Sequence, residues 1–309
     1  MIRILGYSTS VALCVMLVNA TASYAEVSDE KLITWFTFDE GQGRGVTDTA
    51  PQGESDDKSG LKGDVAWDKS GVHGGSLRFP GKHGSFVFLP PGSKDIQANR
   101  SKLGPHSHVT FSYWFNADES KKADTVQTLF ETGGYHNNIN VFIYEGVLYV
   151  GAIGGYPTAH QPAQWMNTKE NLLTDVQWEM RDRQWHHFAF VIDADEKPVA
   201  GGYRIFLDGE LAVTGLGSVV EGHGARGGLG AANDEAIFPH KRNGWAELPS
   251  MPRVKDTDGD RNPESIGIYP FAGAIDDFRL YKRVLSSEEI KQLHDEGREA
   301  LAAAKIDKP

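Results

Sequence analysis

Short apolar segments separated by turn residues make up most of the chain. They are rich in β-branched and aromatic residues, as in LITWFTF (32–38), HVTFSYWFN (108–116) and WHHFAFVID (185–193). In the second segment, every odd-numbered position from Val109 to Phe115 is apolar or aromatic. Successive residues of a strand point to opposite faces of a sheet, so these positions share one face. The pattern predicts an all-β sandwich of two antiparallel sheets.

Two hairpins are predicted from short turn sequences between alternating strands. Glu145-Gly146 joins NVFIY to VLYV, and Asp208-Gly209 joins YRIFL to ELAV. Asp-Gly is a strong hairpin signal, because both residues tolerate the positive φ angles of a tight turn. Each turn therefore predicts a pair of adjacent antiparallel strands.

A short helix is predicted near the C-terminus. Ser286 and Glu289 have the spacing of a capping box, in which both side chains accept hydrogen bonds from backbone amides of the first turn. Ile290 and Leu293 supply the apolar stripe of the helix. We expect a single domain over residues 26–294, followed by a loosely held C-terminal tail over residues 295–309.

The N-terminal sequence predicts export. Arg3 precedes an apolar run over residues 11–18, and Ser23-Tyr24-Ala25 has the small-x-small pattern of a cleavage site. Residues 1–25 therefore have the pattern of a signal peptide, which predicts a secreted or periplasmic protein. The alternatives are a core helix and a membrane anchor, but the run is shorter than a helix that spans a bilayer.

Charge and cysteine content narrow the possible partners. The net charge of −11 argues against binding to nucleic acid or to anionic membrane surfaces. Cys14 is the only cysteine and lies in the predicted signal peptide, so the exported chain has no disulfide. Its stability must therefore come from its core, from a metal ion or from both.

Five stretches of the chain resemble the LamG-like jelly rolls of the concanavalin A-like lectin/glucanase superfamily. They are WFTFDEGQGRGVTDTA (35–50), GSLRFPG (75–81), VTFSYWF (109–115), WHHFAFVID with YRIFLDGELA (185–193 and 203–212), and FAGAIDDFRLYKRVLSSEEI (271–290). The resemblance implies two stacked sheets whose first and last strands are neighbours. It also implies binding to extracellular glycans or proteins, often with a structural calcium ion. Some members are hydrolases or lyases, so the fold does not fix the function.

Two adjacent aspartates interrupt the apolar pattern of FAGAIDDFRLY. By strand alternation, Asp276 shares a face with Phe278 and Leu280, and Asp277 lies on the other face. If Phe278 and Leu280 face the core, Asp276 points inward and needs a partner, because a buried carboxylate without one is costly. We expect Asp277 to be a solvated surface acid.

Calcium is the partner that we expect for Asp276. If the terminal strands are neighbours, the carboxylates of Asp39, Glu40 and Asp48 lie near enough to share a calcium ion with it. The alternatives are pairing with Arg279, with Arg78 or with loop amides. A second candidate calcium loop is the acidic run that contains Asp256, Asp258 and Asp260, with a solvated acidic turn as its alternative.

The sequence contains no glycoside hydrolase pattern of the kind that this fold uses. That pattern is the motif Glu-x-Asp-x-x-Glu on one strand. The only Glu-x-Asp in this sequence is Glu54-Ser55-Asp56, and Ser59 stands where the motif needs its second Glu. A polysaccharide lyase would need a Tyr or His base near an Arg. The sequences 135–138 and 181–183 contain these residue types, but nothing in the sequence fixes their geometry.

Aromatic and amide residues in or beside long loops are candidate sugar-binding groups. Sugar sites combine apolar faces with a few polar groups that fix the hydroxyls. The candidates are Tyr135, Asn137, Asn138, Tyr156, Trp165 and Trp245. The alternative is that the aromatic residues cap the core beneath the loops.

The sequence therefore predicts a secreted, lectin-like protein that binds an extracellular polysaccharide or glycoprotein, with a structural calcium ion and without catalysis. A lyase or hydrolase with a site on the inserted loops, and a protein-binding adhesive module, are the two alternatives.

Overall fold

The computed structural model describes thirteen stretches of the chain. They are residues 27–51, 59–82, 84–85, 87–89, 107–118, 126–131, 139–144, 146–152, 164–167, 179–195, 197–220, 227–230 and 268–306. The predicted signal peptide, residues 1–25, lies outside the described residues.

The described residues form sixteen strands and a C-terminal helix. In chain order they are β1 (Leu32–Phe36), β2 (Gly60–Leu61), β3 (Ala66–Asp68), β4 (Ser76–Pro80), β5 (Val87–Leu89), β6 (His108–Ala117), β7 (Val126–Glu131), β8 (Ile139–Tyr144), β9 (Val147–Ala152), β10 (Gln164–Asn167), β11 (His186–Asp193), β12 (Val199–Leu207), β13 (Glu210–Gly217), β14 (Gly227–Leu229), β15 (Ile268–Pro270), β16 (Ala272–Tyr281) and α1 (Ser287–Ile306).

The strands form two eight-stranded sheets. Sheet A has the order β13-β12-β11-β6-β16-β4-β3, and β1 also pairs with β16. Sheet B has the order β10-β9-β8-β7-β14-β5-β2, and β15 also pairs with β7. All pairs are antiparallel except β15 with β7. The predicted two-sheet sandwich is confirmed, and so is the pairing of the first strand with the last.

The core lies between the inner faces of the two sheets. From sheet A it contains Val109, Phe111, Tyr113 and Phe115, as the alternation of β6 predicts. Sheet B contributes apolar residues of β7, β8 and β9, including Phe130. Continuous burial of large side chains on both inner faces is the main source of the stability of such a sandwich.

Both predicted hairpins are present. β8 pairs with β9 across Gly146, whose φ is 77°. β12 pairs with β13 across Asp208 and Gly209, whose φ values are 47° and 80°. Two consecutive positive φ angles are those of a type I′ turn, which matches the twist of the strands that it joins.

The helix α1 begins at the predicted cap and is longer than expected. The backbone amide of Glu289 donates to Oγ of Ser286, and the amide of Ser286 donates to Oε2 of Glu289. The expected domain boundary at residue 294 falls inside the helix, which continues to Ile306. Among the described residues, the length and apolarity that a membrane-crossing helix needs do not occur together in any helix.

Candidate functional site

The last strand contains a β-bulge at Asp277. Asp276 lies opposite Trp114 of β6, and Arg279 lies opposite Ser112, so β16 advances three residues while β6 advances two. Asp277 has a φ of 50°, in the left-handed region that aspartate enters more readily than most residues do. The bulge therefore adds one residue to β16 between two regular stretches of pairing.

This bulge changes the face on which Asp276 lies. Ile275, Phe278 and Leu280 all belong to the core, so the alternation is interrupted between Ile275 and Phe278. Asp276 lies on the outer face of sheet A, and the expectation that it shares a face with Phe278 was wrong. Its burial is nevertheless confirmed, with 0% of its surface exposed.

Backbone amides bind the buried carboxylate of Asp276. Its Oδ2 accepts hydrogen bonds from the amides of Val72 at 2.7 Å and His73 at 3.2 Å, and its Oδ1 accepts one from the amide of Asp277 at 2.7 Å. The bonds from Val72 and His73 agree with the alternative in which loop amides, and not a calcium ion, are the partners of Asp276. Burial and the neighbouring Asp277 carboxylate raise the pKa of Asp276 to about 8, although the three amides act in the opposite direction.

Asp277 is also buried, and the expectation of a solvated surface acid was wrong. Its Oδ1 accepts hydrogen bonds from Nε1 of Trp35 at 2.7 Å and from Nε of Arg279 at 3.0 Å. Nε2 of His73 lies 3.8 Å from Oδ2. Burial opposes the charge of Asp277, but Arg279, His73 and Trp35 hold the pKa of its carboxyl below the ordinary value. The bulge therefore turns both acids towards partners within the protein.

The loop from Gly71 to Gly75, called the glycine loop below, lies against two carboxylates. Besides the bonds to Asp276, the amide of Gly75 donates a 2.7 Å hydrogen bond to Oδ1 of Asp39. A Cβ atom at Gly71 would lie 1.8 Å from the carbonyl oxygen of Gly75 and 2.6 Å from Oδ2 of Asp276. Gly74 has a φ of 109°, and a Cβ there would lie 2.5 Å from Oδ1 of Asp39. Glycine at both positions allows this close approach.

Glu40 and Asp48 bind backbone amides elsewhere. Oε1 of Glu40 accepts a 2.6 Å hydrogen bond from the amide of Thr47. Oδ1 of Asp48 accepts hydrogen bonds from the amides of Trp35 at 2.9 Å and Ala50 at 3.0 Å. Both acids therefore order the segment that follows β1.

The four carboxylates expected to share a calcium ion are not gathered into one site. Across the stretches that the structure describes, no three His, Cys, Asp or Glu residues form a group that could hold a metal ion. Asp39, Glu40, Asp48 and Asp276 each accept hydrogen bonds from backbone amides. Three or more of these acids therefore do not form one site, and calcium binding by Asp276 with fewer carboxylates and loop carbonyls stays a prediction.

All the other candidate residues except Trp165 lie outside the described part of the chain. The acidic run of Asp256, Asp258 and Asp260 is among them, so calcium binding there stays a prediction. The predicted sugar-binding roles of the aromatic and amide residues also stay predictions for Tyr135, Asn137, Asn138, Tyr156 and Trp245. For Trp165 only the backbone is described, in β10, where it pairs with Gly151 of β9.

The two adjacent histidines of β11, His186 and His187, point in opposite directions, as successive residues of a strand do. Ring nitrogens of His186 lie 2.9 Å from Oδ2 of Asp208 and 3.1 Å from Oδ1 of Asp182. Nε2 of His187 lies 2.8 Å from Oγ of Ser112. Burial lowers the pKa of His187 to about 3, so this ring is neutral.

Helix α1 closes over this buried histidine. The ring of His294 in α1 stacks on Trp114 at 5.7 Å between centroids, and the ring of His187 lies 5.1 Å from Trp114. A Cβ atom at Gly297 would lie 2.4 Å from the Trp114 ring. The Ser112–His187 pair is therefore part of the helix-docking surface, with both residues almost fully buried.

An open cleft of about 1070 Å³ lies at the β2 edge of sheet B. Two segments line it: Glu40, Gln42 and residues 44–47 from the first, and residues 59–63 from the second. The amide of Val46 donates to the carbonyl of Ser59, and the amide of Leu61 donates to the carbonyl of Arg44. Gly45 and Gly60 form the β-bridge between these bonds, so the segments make one continuous floor.

Several polar side chains lie along this cleft. The guanidinium of Arg44 donates to the carbonyl oxygens of Leu61 at 3.1 Å and Gly63 at 2.8 Å, which fixes its plane across the floor. Oε2 of Glu40 and Oγ of Ser59 are shielded from solvent and have no hydrogen-bond partner among the described residues. Sequence reasoning missed this cleft. Among its lining residues, only Glu40 was a predicted site residue, and the predicted role was calcium binding.

Comparison with known proteins gives a fold and no family. No protein-family model matches the sequence. No curated protein matches it either.

Solved structures with the same fold include an arabinanase domain and binding domains of toxins. Domain 4 of an extracellular arabinanase from Geobacillus stearothermophilus, solved with arabinotriose, is 17% identical, with a TM-score of 0.51; the match covers 85% of this chain and 98% of that domain. A structure of botulinum neurotoxin type C, whose cell entry depends on interaction with two ganglioside molecules, is 11% identical, with a TM-score of 0.56. The match covers 87% of this chain and 52% of the toxin chain.

The binding domain of Paraclostridial Mosquitocidal Protein 1 is similar over 86% of this chain and 52% of its own length, at 12% identity and a TM-score of 0.55. This chain therefore spans about half the length of the two toxin structures. At these identities the similarity shows a shared β-sandwich fold.

Proposed function

We propose that this protein is an exported, LamG-like module that binds carbohydrate and does not catalyse its cleavage. The observation that carries the proposal is the open cleft beside β2, which is lined by several polar side chains at the edge of sheet B. Ligand sites are concave and largely preformed, and a few precisely placed polar groups fix the orientation of the ligand. The cleft has this form.

The solved structures of the same fold support a carbohydrate ligand. The arabinanase domain was solved with arabinotriose, and the type C toxin structure is described by its interaction with gangliosides. Both ligands are carbohydrates or carry them. The match to the arabinanase domain spans nearly all of that domain, so a carbohydrate-binding unit of this fold needs little beyond the sandwich.

The arrangement of the acids favours binding over catalysis. Asp276 and Asp277 have pKa values shifted in opposite directions, as in an acid–base pair. Yet both are buried, with 0% and 6% of their surfaces exposed, and their oxygens bind the protein's own groups. A substrate would have to displace the glycine loop to reach them.

A glycan array tests the proposal. The chain without residues 1–25 is applied to an array of neutral and acidic polysaccharides, after its folding has been checked by a cooperative melting transition. We expect saturable binding to at least one class of polysaccharide, without release of reducing ends or unsaturated products. A folded chain that binds none of them would contradict carbohydrate binding, and released products would contradict the absence of catalysis.

A further inference from the structure

We propose that the cleft between residues 40–47 and 59–63 is the subsite for one neutral sugar residue, whose hydroxyl groups bind Glu40 and Ser59. This inference rests on the proposed function and names the residues and the class of sugar.

The floor of the cleft is held in place before any ligand binds. Two backbone hydrogen bonds join its segments, and Arg44 donates to two carbonyls across it. The amide of Thr47 fixes one carboxylate oxygen of Glu40 at 2.6 Å. A preformed site loses little conformational entropy on binding, so its hydrogen bonds contribute more fully to affinity.

Two polar side-chain atoms of residues that line the cleft lack hydrogen-bond partners within the described part of the chain. They are Oε2 of Glu40 and Oγ of Ser59. The two residues belong to neighbouring parts of the floor, because Glu40 accepts from the amide of Thr47 and the carbonyl of Ser59 accepts from the amide of the adjacent Val46. A shielded polar atom without a partner costs free energy. A ligand that reaches these two atoms would supply the missing hydrogen bonds.

Hydroxyl groups match what these atoms require. A carboxylate oxygen accepts hydrogen bonds only, whereas a serine hydroxyl both donates and accepts. A sugar hydroxyl can donate to Glu40, and a neighbouring hydroxyl can exchange hydrogen bonds with Ser59. The exposed side chains of Gln42 and Thr47 border the same space and can extend this contact.

Charge favours a neutral sugar over an acidic one. A carboxylate of a uronate placed beside Glu40 would be repelled, and the protein as a whole carries a net charge of −11. Arg44 and Lys62 also line the cleft, but the Arg44 guanidinium already binds two carbonyl oxygens. The part of the cleft with the unsatisfied acceptors is therefore the part suited to neutral hydroxyls.

Gly45 offers a way to close the cleft without disturbing the fold. A Cβ atom added there meets no atom within 4 Å, and the residue has no positive φ. A larger side chain at this position therefore enters open space in the floor of the cleft.

Three variants and one matched control test the subsite. Glu40→Gln keeps an oxygen for the Thr47 amide and replaces Oε2 with a donor, Ser59→Ala removes the hydroxyl, and Gly45→Leu fills the space. The control, Asp64→Asn, removes one negative charge just outside the cleft, where Asp64 is exposed and pairs with Lys82 at 2.9 Å.

All five proteins are applied to the same array, which carries linear arabinan, xylan, β-glucan and polygalacturonate, and their melting temperatures are measured. We expect wild type and Asp64→Asn to bind a neutral polysaccharide equally. Glu40→Gln and Ser59→Ala should each bind about tenfold more weakly, and Gly45→Leu should lose binding with its melting temperature retained.

Binding of neutral polysaccharide that is unchanged in all three variants would overturn the subsite and leave the proposed function standing. Binding to polygalacturonate alone would overturn the assignment of a neutral sugar. Failure of the folded wild type to bind any polysaccharide would overturn both the subsite and the proposed function.

Discussion

The backbone amide of Val72 donates a 2.7 Å hydrogen bond to Oδ2 of Asp276, a residue 204 positions later in the chain. This bond joins the glycine loop, which follows β3, to the bulge in the last strand. With the bond from Gly75 to Asp39, it holds together three segments that are distant in the sequence.

The close packing of the glycine loop predicts a strong effect of Gly71→Ala. The added methyl group would lie 1.8 Å from the carbonyl oxygen of Gly75, a rigid backbone atom. We expect a loss of about 1 to 3 kcal/mol in the free energy of unfolding, as for other overpacked sites. Denaturant titration measures it. Gly45→Ala is the control, since its methyl group meets nothing within 4 Å; equal stability of the two variants would contradict the packing of the loop.

The burial of Asp276 predicts a pH-dependent stability. The pKa of Asp276 rises from its ordinary value of 3.8 to about 8 in the folded protein. Between these two values, the folded state keeps a proton that the unfolded state releases. The contribution of the protonated Asp276 carboxyl to the free energy of unfolding is complete below about pH 4 and is lost as the pH rises towards 8. The slope is at most about 1.4 kcal/mol per pH unit.

Asp277 and His73 face this carboxyl, so the comparison of wild type with Asp276→Asn isolates its contribution. Between pH 4 and 8, we expect the wild type to lose stability relative to the variant in denaturant titrations. Parallel stability curves over this range would show that Asp276 has an ordinary pKa in the folded state.

Calcium, if it stabilises the protein, is expected to act through the acidic run at residues 256–260. Melting is compared in EDTA and in millimolar calcium. We expect Asp258→Asn to remove any calcium-dependent rise in the melting temperature and Asp276→Asn to retain it, because Asp276 accepts hydrogen bonds from three backbone amides. A calcium effect abolished by Asp276→Asn alone would restore the calcium site expected from the sequence.

Docking of α1 predicts that Gly297→Ala is destabilising, although alanine favours helices. The gain in helix propensity is about 1 kcal/mol. The methyl group, however, would lie within 3 Å of three ring atoms of the buried Trp114, and overpacking of this kind costs about 1 to 3 kcal/mol. We expect a lower melting temperature by calorimetry. As a control, Ala303→Gly at an exposed position should lose only its propensity, and a net gain for Gly297→Ala would contradict the docking of α1.

Local patterns in the sequence predicted the elements whose geometry is set by near neighbours. Alternation gave the core face of β6, Asp208-Gly209 gave a hairpin, and Ser286 with Glu289 gave the start of α1. In each case the interacting residues lie within a few positions, or one face repeats at a fixed period, so the local sequence determines the result.

The bulge and the cleft depend on relationships that a local pattern does not contain. Alternation assigns faces only while the pairing register is unbroken, and the extra residue at Asp277 reverses it. The cleft forms because the Gly45–Gly60 bridge brings together two segments that show no strand pattern. Its glycines and polar residues resemble those of any loop.

Hydrogen exchange bears most directly on carbohydrate binding through the cleft. Amide exchange of the chain without residues 1–25 is followed by mass spectrometry, alone and with saturating arabinan, xylan or β-glucan. We predict slower exchange over residues 40–47 and 59–63 with at least one of these neutral polysaccharides, and no such change in Gly45→Leu. Exchange that is unchanged with all three polysaccharides, or protection only in other segments, would contradict binding at this site.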